Sequence, residues 1–262
     1  MELKQRLKFA LVAARRASEL ILPYYNNPDL TVELKGDESP VTAADRGAEE
    51  LLRDLIGQSY PDDGILGEEF GEKPGGSAFR WILDPIDGTV SFVHGVPLFG
   101  TLMGMEHDGE PVLGVCRMPA LDETVYAASG CGAWWQSGSD APREARVTTT
   151  DRLDQALFSY TAIELFDEFD CRPAFDALAA SVASTRAWGD CYGHILVATG
   201  RADLMVDPVM NIWDAAPLLP ILREAGGAFL DWTGAETIRG GNGISVNAAL
   251  REAVIEIVNR GD

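Results

Sequence analysis

The sequence predicts a layered protein of the α/β or α+β class, and three observations predict it. Helical periodicity opens the chain over residues 2–22, an antiparallel run of short strands and turns occupies 99–136, and strand and helix patterns then alternate to the end. Elements of this kind bury their apolar faces by stacking in layers. With 262 residues, 46% of them hydrophobic, the chain is long enough to build a substantial core between such layers.

Taken in order, Leu3, Leu7, Ala10, Leu11, Ala14 and Ile21 fall near helical spacing, and Pro23 ends that helix. The polar segment 33–39 reads as a loop or hairpin. Pro40-Val41-Thr42 then leads into a second helix whose apolar side carries Ala44, Ala48, Leu51, Leu52 and Leu55, with Thr42 as its N-cap. Asp45 falls in the first turn, where the helix dipole favours a carboxylate with or without a catalytic role. Ile65-Leu66-Gly67-Glu68 and the run from Trp81 to Asp84 both read as strands ending in acid, so two strand ends deliver carboxylates to one edge. The meander follows: 99–106, a turn at Asp108-Gly109, then 111–117, 124–128 and 132–136. A polar connection over 137–143 suggests two halves, 1–143 and 144–262, joined as one compact unit. In the second half we expect a strand over 156–160, a helix over 172–182, and a helix over 190–199 closed by Gly200. A strand at 202–206 and a helix over 214–225 follow, with Pro217 in that helix's first turn. Strands at 227–232 and 243–246 precede a final helix.

Forty-one acidic residues against 21 basic ones give a formal charge of −20, which disfavours nucleic acid or an anionic membrane surface as a partner. Cys116, Cys131, Cys171 and Cys191 are scattered without the paired spacing of a zinc site, and they fit a reducing compartment. The N-terminus has no apolar signal core and no uncharged stretch reaches spanning length, so the expectation is a cytoplasmic protein. His94 reads as a hydrogen-bonded structural residue, His107 as an exposed turn residue, and Trp134-Trp135 as core or interface.

The stretch Trp81-Ile-Leu-Asp-Pro-Ile-Asp-Gly-Thr89 concentrates the chemistry. Pro85 biases Asp84 towards extended backbone, so the strand should end with Asp84 pointing out of the sheet edge. Gly88 permits a tight turn whose N–H groups could face an anion. Two hard carboxylates beside such donors suit a Mg²⁺ ion bridging to a phosphate. Any single Asp-Pro or Asp-Gly is explained as well by an ordinary turn; the whole run is harder to explain that way.

That run resembles the DPIDGT signature of the inositol-monophosphatase-like family of metal-dependent, lithium-sensitive phosphatases. Gly67-Glu68-Glu69 stands where that family has its GEE motif, and Trp213-Asp214-Ala215-Ala216 where it has its WD motif. The resemblance extends from about Pro40 to Gly227. It implies an α+β fold, an αβαβα sandwich, working as a homodimer on a small phosphomonoester with two or three Mg²⁺ ions. Position by position it implies Glu68, Asp84, Asp87 and Asp214 as metal ligands, with the carbonyl of Ile86. Thr89 and Asp45 match the pair that orients the attacking water, Glu68 shares in catalysis, and Asp87, Gly88 and Thr89 match the phosphate-binding turn. Glu69 reads as a supporting or solvated acid. Four converging acids would repel and raise one another's pKa, so a multivalent cation is their natural partner. No Cys, Ser or His stands in a nucleophile motif, which favours direct attack by water over a phosphoenzyme.

Within the family, Gly95-Val-Pro-Leu-Phe-Gly-Thr-Leu102 and Gly189-Asp190-Cys191-Tyr192-Gly193-His194 look more like the histidinol-phosphate phosphatase branch, the one that serves histidine biosynthesis. Gly189, Asp190, Cys191 and Asp207 match positions that meet the organic part of the substrate. An extra carboxylate there suits a cationic amine or imidazole better than a neutral polyol. Asp190 and Asp207 could equally be a helix N-terminal acid and a turn residue before Pro208. The nearest alternative is an inositol or other sugar monophosphatase. Nucleotide 3′-phosphate and fructose bisphosphate fit less well, because no basic pocket for a second phosphate is evident. A non-catalytic member that binds metal or a partner would be a different class; the presence of every ligand-type residue together with Asp45 and Thr89 opposes it.

Overall fold

Alanine at the inward positions lets the first helix lie close to its neighbours. In the computed structural model, which describes residues 2–29, 31–34 and 40–259, α1 (Glu2–Ile21) buries Leu7, Ala10, Ala13, Ala14, Ala17 and Ile21. Two short antiparallel strands, β1 (Val32–Leu34) and β2 (Pro40–Thr42), form the arms of the expected hairpin. Its connection, 35–39, lies outside the described residues. Helix α2 (Ala43–Ser59) starts at the Thr42 N-cap and buries Ala44, Ala48, Leu52 and Ile56, while Leu51 and Leu55 are half-buried.

Strands β3 (Gly64–Gly67), β4 (Gly71–Lys73) and β5 (Phe79–Asp87) lead through the one-turn helix α3 (Thr89–Val93) into a meander of β6 (Gly100–His107), β7 (Glu110–Met118), β8 (Glu123–Ala128), β9 (Ala133–Ser137) and β10 (Arg143–Glu144). Among the described residues these make an eight-stranded sheet of order β10-β9-β8-β7-β6-β5-β3-β4, antiparallel throughout except between β3 and β5. The rest of the chain runs through β11 (Leu157–Ser159), α4 (Ile163–Glu168), α5 (Arg172–Ser181), β12 (Ser184–Arg186), α6 (Asp190–Ala198), β13 (Leu204–Asp207), α7 (Ile212–Ala215), α8 (Leu218–Glu224), β14 (Gly227–Leu230), β15 (Gly243–Asn247) and α9 (Arg251–Val258). Its five-stranded sheet has the order β12-β11-β13-β15-β14.

The period-two alternation of each strand sorts these elements into layers. Trp81 and Leu83 of β5 face α1 and α2, whereas Ile82 between them faces α6 and α8. In the same way Met205 of β13 joins the α6 and α8 layer, while Leu204 and Val206 face α5 and α9. The stacking is therefore helix, sheet, helix, sheet, helix, the αβαβα sandwich that the resemblance implied.

Two expectations are corrected. Strand β5 does not end at Asp84 but continues to Asp87, with a register break against β6 between those two residues. Pro85 sits inside that break, where the ladder asks for no N–H, and its carbonyl accepts from the Thr101 hydroxyl at 2.9 Å. The helix expected over 214–225 begins earlier, at Ile212, because Asn211 caps it. Pro217 then falls at the junction of α7 and α8 rather than in a first turn. Among the elements that went unread, the fully exposed β4, the uncapped α4 and the three-residue β12 offer almost no periodic signal. His94 is exposed, with Nδ1 at 2.8 Å from the Val90 carbonyl, and His107 stacks on Phe79 at the end of β6. Trp135 packs at the core edge beneath Arg143 and Arg201.

The α7–α8 junction lies directly on the larger sheet. A Cβ at Gly114 of β7 would stand 1.9 Å from the Pro217 carbonyl oxygen, a contact that no side chain can make. Gly114→Ala must therefore push the junction off the sheet, at a cost of about 1–3 kcal/mol and about 2–4 °C of Tm per kcal/mol. Gly57 of α2 has nothing within 4 Å of its Cβ position, so Gly57→Ala should add about 0.5–1 kcal/mol. Thermal melts of the two variants check both signs.

Candidate active site

The parallel pairing of β3 with β5 sets the first acid beside the second. Gly67 pairs with Leu83, and the next N–H, that of Glu68, donates to the Leu83 carbonyl at 3.2 Å. Glu68 thus leaves the sheet alongside Asp84, in hydrogen-bond contact with its carboxyl group. Glu49, wholly buried on α2, holds this loop by accepting the N–H of Glu69 at 2.8 Å and that of Phe70 at 3.2 Å. The third acid follows from the break in β5, which carries Asp87 round to the same side. The fourth comes from α7, where the Asn211 N–H donates to Asp214 Oδ2 at 2.7 Å in a capping box. One carboxylate oxygen from each of Asp84, Asp87 and Asp214 lies within 4.8 Å of the others.

Burial holds the Asp84 carboxyl well above the usual carboxylate range, and the charges of Glu68, Asp87 and Asp214 push it further. Asp214 is raised in the same direction, first by burial and then by Asp87, against the opposing Asn211 hydrogen bond. Burial also raises Asp87, whose Oδ2 accepts the Cys191 N–H at 2.6 Å, a bond that partly offsets the rise. Asp84 Oδ1 is buried and has no hydrogen-bond partner among the described residues. An orphaned carboxylate oxygen facing further acids is costly by itself and favourable around a cation. Hard oxygen donors of this kind fit a divalent ion such as Mg²⁺ or Ca²⁺ better than a thiophilic one.

Beyond Asp87 the chain turns sharply. Gly88 is left-handed at φ +79°, and the Thr89 hydroxyl donates to the Ile86 carbonyl at 3.0 Å. Asp45 is buried on the opposing helix, where its Oδ2 accepts the Thr42 N–H at 2.8 Å and the Thr42 hydroxyl at 2.6 Å. The capping role is thus realised, and no hydrogen bond joins Asp45 to Thr89 among the described residues. Burial raises the Asp45 carboxyl while Thr42 pulls it down.

A cavity of about 200 Å³ opens beside the acids, lined by Asp87, Asp190, Asp207 and Asp214 with Thr161, Met210 and Asn211 among its other walls; no Lys or Arg among the described residues lines it. Asp190 is partly buried and left-handed at φ +54°, a strained conformation for a residue with a side chain. Its N–H donates to Thr161 Oγ1 at 2.9 Å, and its carboxyl is raised well above the usual range, first by burial and then by Asp87, Asp207 and Asp214. Asp207 closes β13, buried, with Oδ1 accepting the Thr161 N–H at 3.2 Å. Gly189 is the N-cap of α6. Cys191 gives the site its N–H, while its thiol turns inward onto Met118 at 3.7 Å.

The sequence reading missed Thr161, Asn211 and Glu49. Asn211 carried a signal, since Asn three residues before an acid is the pattern of a capping box. Thr161 and Glu49 carried none, because only tertiary pairing brings them to the site.

A family model described as the inositol monophosphatase family matches residues 2–261. The chain is 43% identical over 257 residues to a histidinol-phosphatase from Chlorobaculum parvum, covering 98% of this chain and 97% of that one. It is 36% identical over 255 residues to a histidinol-phosphatase from Mycobacterium tuberculosis, covering 97% and 98%. Among solved structures, the extragenic suppressor protein suhB from Bartonella henselae matches with a TM-score of 0.90 at 30% identity, over 98% of this chain and 100% of that one. An inositol monophosphatase from Zymomonas mobilis matches with a TM-score of 0.85 at 33% identity, over 97% and 98%.

Repulsion within the acid cluster opposes folding until a cation is bound. In EDTA, Asp84→Asn should raise stability by on the order of 1 kcal/mol, about 2–4 °C, because a neutral amide can donate to Glu68. Titrating Mg²⁺ should raise the Tm of the wild type and leave that of the variant nearly unmoved. Equal Mg²⁺-induced shifts in both would remove Asp84 from the ion site.

Proposed function

The chain belongs to the inositol monophosphatase family, and we propose that the phosphomonoester it hydrolyses is histidinol phosphate, with Mg²⁺ as the ion and water as the nucleophile. That it is a phosphoric monoester hydrolase follows from the family and from relatives named histidinol-phosphatase at 34–43% identity. The observation that carries the substrate is the sign of the cavity: Asp190 and Asp207 line it, and among the described residues no basic side chain does. An ammonium group gains from such a wall, and a neutral polyol gains much less. A second phosphate would meet no basic side chain of the described residues there, which weighs against a bisphosphate.

Glu68, Asp84, Asp87 and Asp214, with the Ile86 carbonyl, would hold the ion. When bound, it supplies the positive charge that offsets the phosphate and makes water a better nucleophile near neutral pH. The protein's own groups do the positioning. The Gly88 and Thr89 amides receive phosphate oxygens at the turn after Asp87, with Asp87 beside them. Thr89 and Asp45 share the proton of the attacking water, the hydroxyl leaving Ile86 for that purpose and the carboxylate accepting. Water attacks phosphorus as the alcohol oxygen leaves, with no phosphoenzyme. The Cys191 thiol is pushed well above its ordinary pKa, chiefly by burial, and takes no part as a nucleophile. We place the protein in the cytoplasm, as its four free cysteines suggest, and no helix among the described residues is long and apolar enough to cross a membrane.

Two comparisons test this reading. Asp190→Asn and Asp207→Asn should each cut kcat/KM for histidinol phosphate by about ten- to a hundredfold relative to inositol 1-phosphate, the worth of one charge-assisted hydrogen bond. Equal losses on both substrates, or a wild-type preference for inositol phosphate, would move the assignment to a sugar monophosphatase. Thr89→Ala and Asp45→Asn should lower kcat far more than they raise KM, and the double variant should be scarcely worse than the worse single one. Additive losses would leave Asp45 as a helix cap alone.

A further inference from the structure

We propose that His194, backed by Ser245, is a positioning residue that fixes the Asp207 carboxylate in the orientation that meets the substrate's cationic head group. The proposal rests on the substrate reading above and adds to it residues that line no part of the cavity. His194 lies on α6 with no exposed surface, in a stretch whose neighbours Ile195, Leu196 and Val197 are apolar and buried. Its Nε2 is 3.2 Å from Asp207 Oδ2 and its Nδ1 is 2.8 Å from Ser245 Oγ. Ser245, also fully buried, stands on β15, paired with Met205 two residues before Asp207 on β13.

Hydrogen-bond capacity sets the direction of this chain of groups. An ionised Asp207 can only accept, so Nε2 must carry the proton; in the neutral ring Nδ1 is then an acceptor, and the Ser245 hydroxyl donates to it. Ser245 and His194 thus form a run of donors that ends on the Asp207 carboxylate at the cavity wall. The other Asp207 oxygen takes the Thr161 N–H, and the Asp207 main-chain carbonyl takes the Trp232 indole N–H at 3.2 Å. Without His194 the carboxylate would keep a single donor and face the negative charges of Asp87 and Asp190, which favour its turning away. An aliphatic residue would fill the same core volume at no desolvation cost, so an imidazole at this position is accounted for by the carboxylate it holds.

The test is steady-state kinetics of the Mg²⁺-loaded enzyme on histidinol phosphate and inositol 1-phosphate, with His194→Phe, His194→Gln, Ser245→Ala, Asp207→Asn and the double variant His194→Phe/Asp207→Asn. Phenylalanine keeps the ring and removes both hydrogen bonds. It should raise KM for histidinol phosphate about tenfold with little change in kcat, and lower the preference for that substrate by the same factor. Glutamine places an amide N–H near the former Nε2 and should recover most of the loss. Ser245→Ala should shift KM in the same direction by about threefold, and it carries the test should His194→Phe not fold. On the Asp207→Asn background the phenylalanine change should add less than about twofold, because the group it positions is gone. A penalty equal on both substrates, full additivity with Asp207→Asn, or no recovery by glutamine overturns the proposal. A wild type that prefers inositol 1-phosphate overturns the substrate reading and this inference with it. A wild type that prefers histidinol phosphate, loses the preference in Asp207→Asn and keeps it in His194→Phe overturns the role of His194 alone.

Discussion

Mutual repulsion of Asp84, Asp87, Asp214 and Glu68 is the constraint around which the rest of the structure is arranged. Such acids do not gather spontaneously, so covalent and hydrogen-bonded geometry has to bring them together. Asp84 and Asp87 are tied by three residues of one strand, and the register break at Pro85 turns both to one side. Glu68 is brought in by the parallel partner strand, and Glu49 holds the loop that follows it through the N–H groups of Glu69 and Phe70. Asp214 depends on a single turn of helix capped by Asn211, whose N–H its own carboxylate accepts. These devices hold the acids together against that repulsion, and the orphaned Asp84 oxygen is left for a cation.

The same economy of charge separates the two ends of the site. In a protein of formal charge −20 whose cavity has no Lys or Arg among the described residues, an ion is the natural source of attraction for a phosphate. The far wall is made of carboxyl groups, Asp190 and Asp207. A small cationic alcohol esterified to phosphate matches this polarity from end to end, and the relatives named histidinol-phosphatase agree with it.

How much of this was legible in the sequence depended on whether the cause was local. The acids at two strand ends, the Thr42 cap, the meander and the layered alternation were readable because periodicity and turn chemistry act over a few residues. The αβαβα order came from resemblance, since nothing local tells a strand which layer it will join. The bias that Pro85 puts on Asp84 led to a strand ending at Asp84; the structure places Pro85 at an irregularity inside the strand, where its missing N–H is harmless. The helix starts at Ile212 rather than at the expected 214, where Asn211 and Asp214 have capping-box spacing. Thr161, Glu49, Ser245 and the ring of His194 act only across tertiary contacts, and no window along the chain could reveal their partners.

The close approach of Pro217 to Gly114 has a consequence for how the enzyme becomes active. The meander from β6 to β9 is built of neighbouring hairpins with short loops, the kind of topology that forms early because little chain entropy stands against it. Asp214 reaches the site only when the α7–α8 junction, about a hundred residues further along, lands on that sheet. A chain with both sheets formed but the junction undocked would have native-like secondary structure and an incomplete ligand set. Ion affinity in this protein is therefore a gauge of interlayer docking, and on refolding the recovery of turnover should lag behind the recovery of the β-sheet circular dichroism signal.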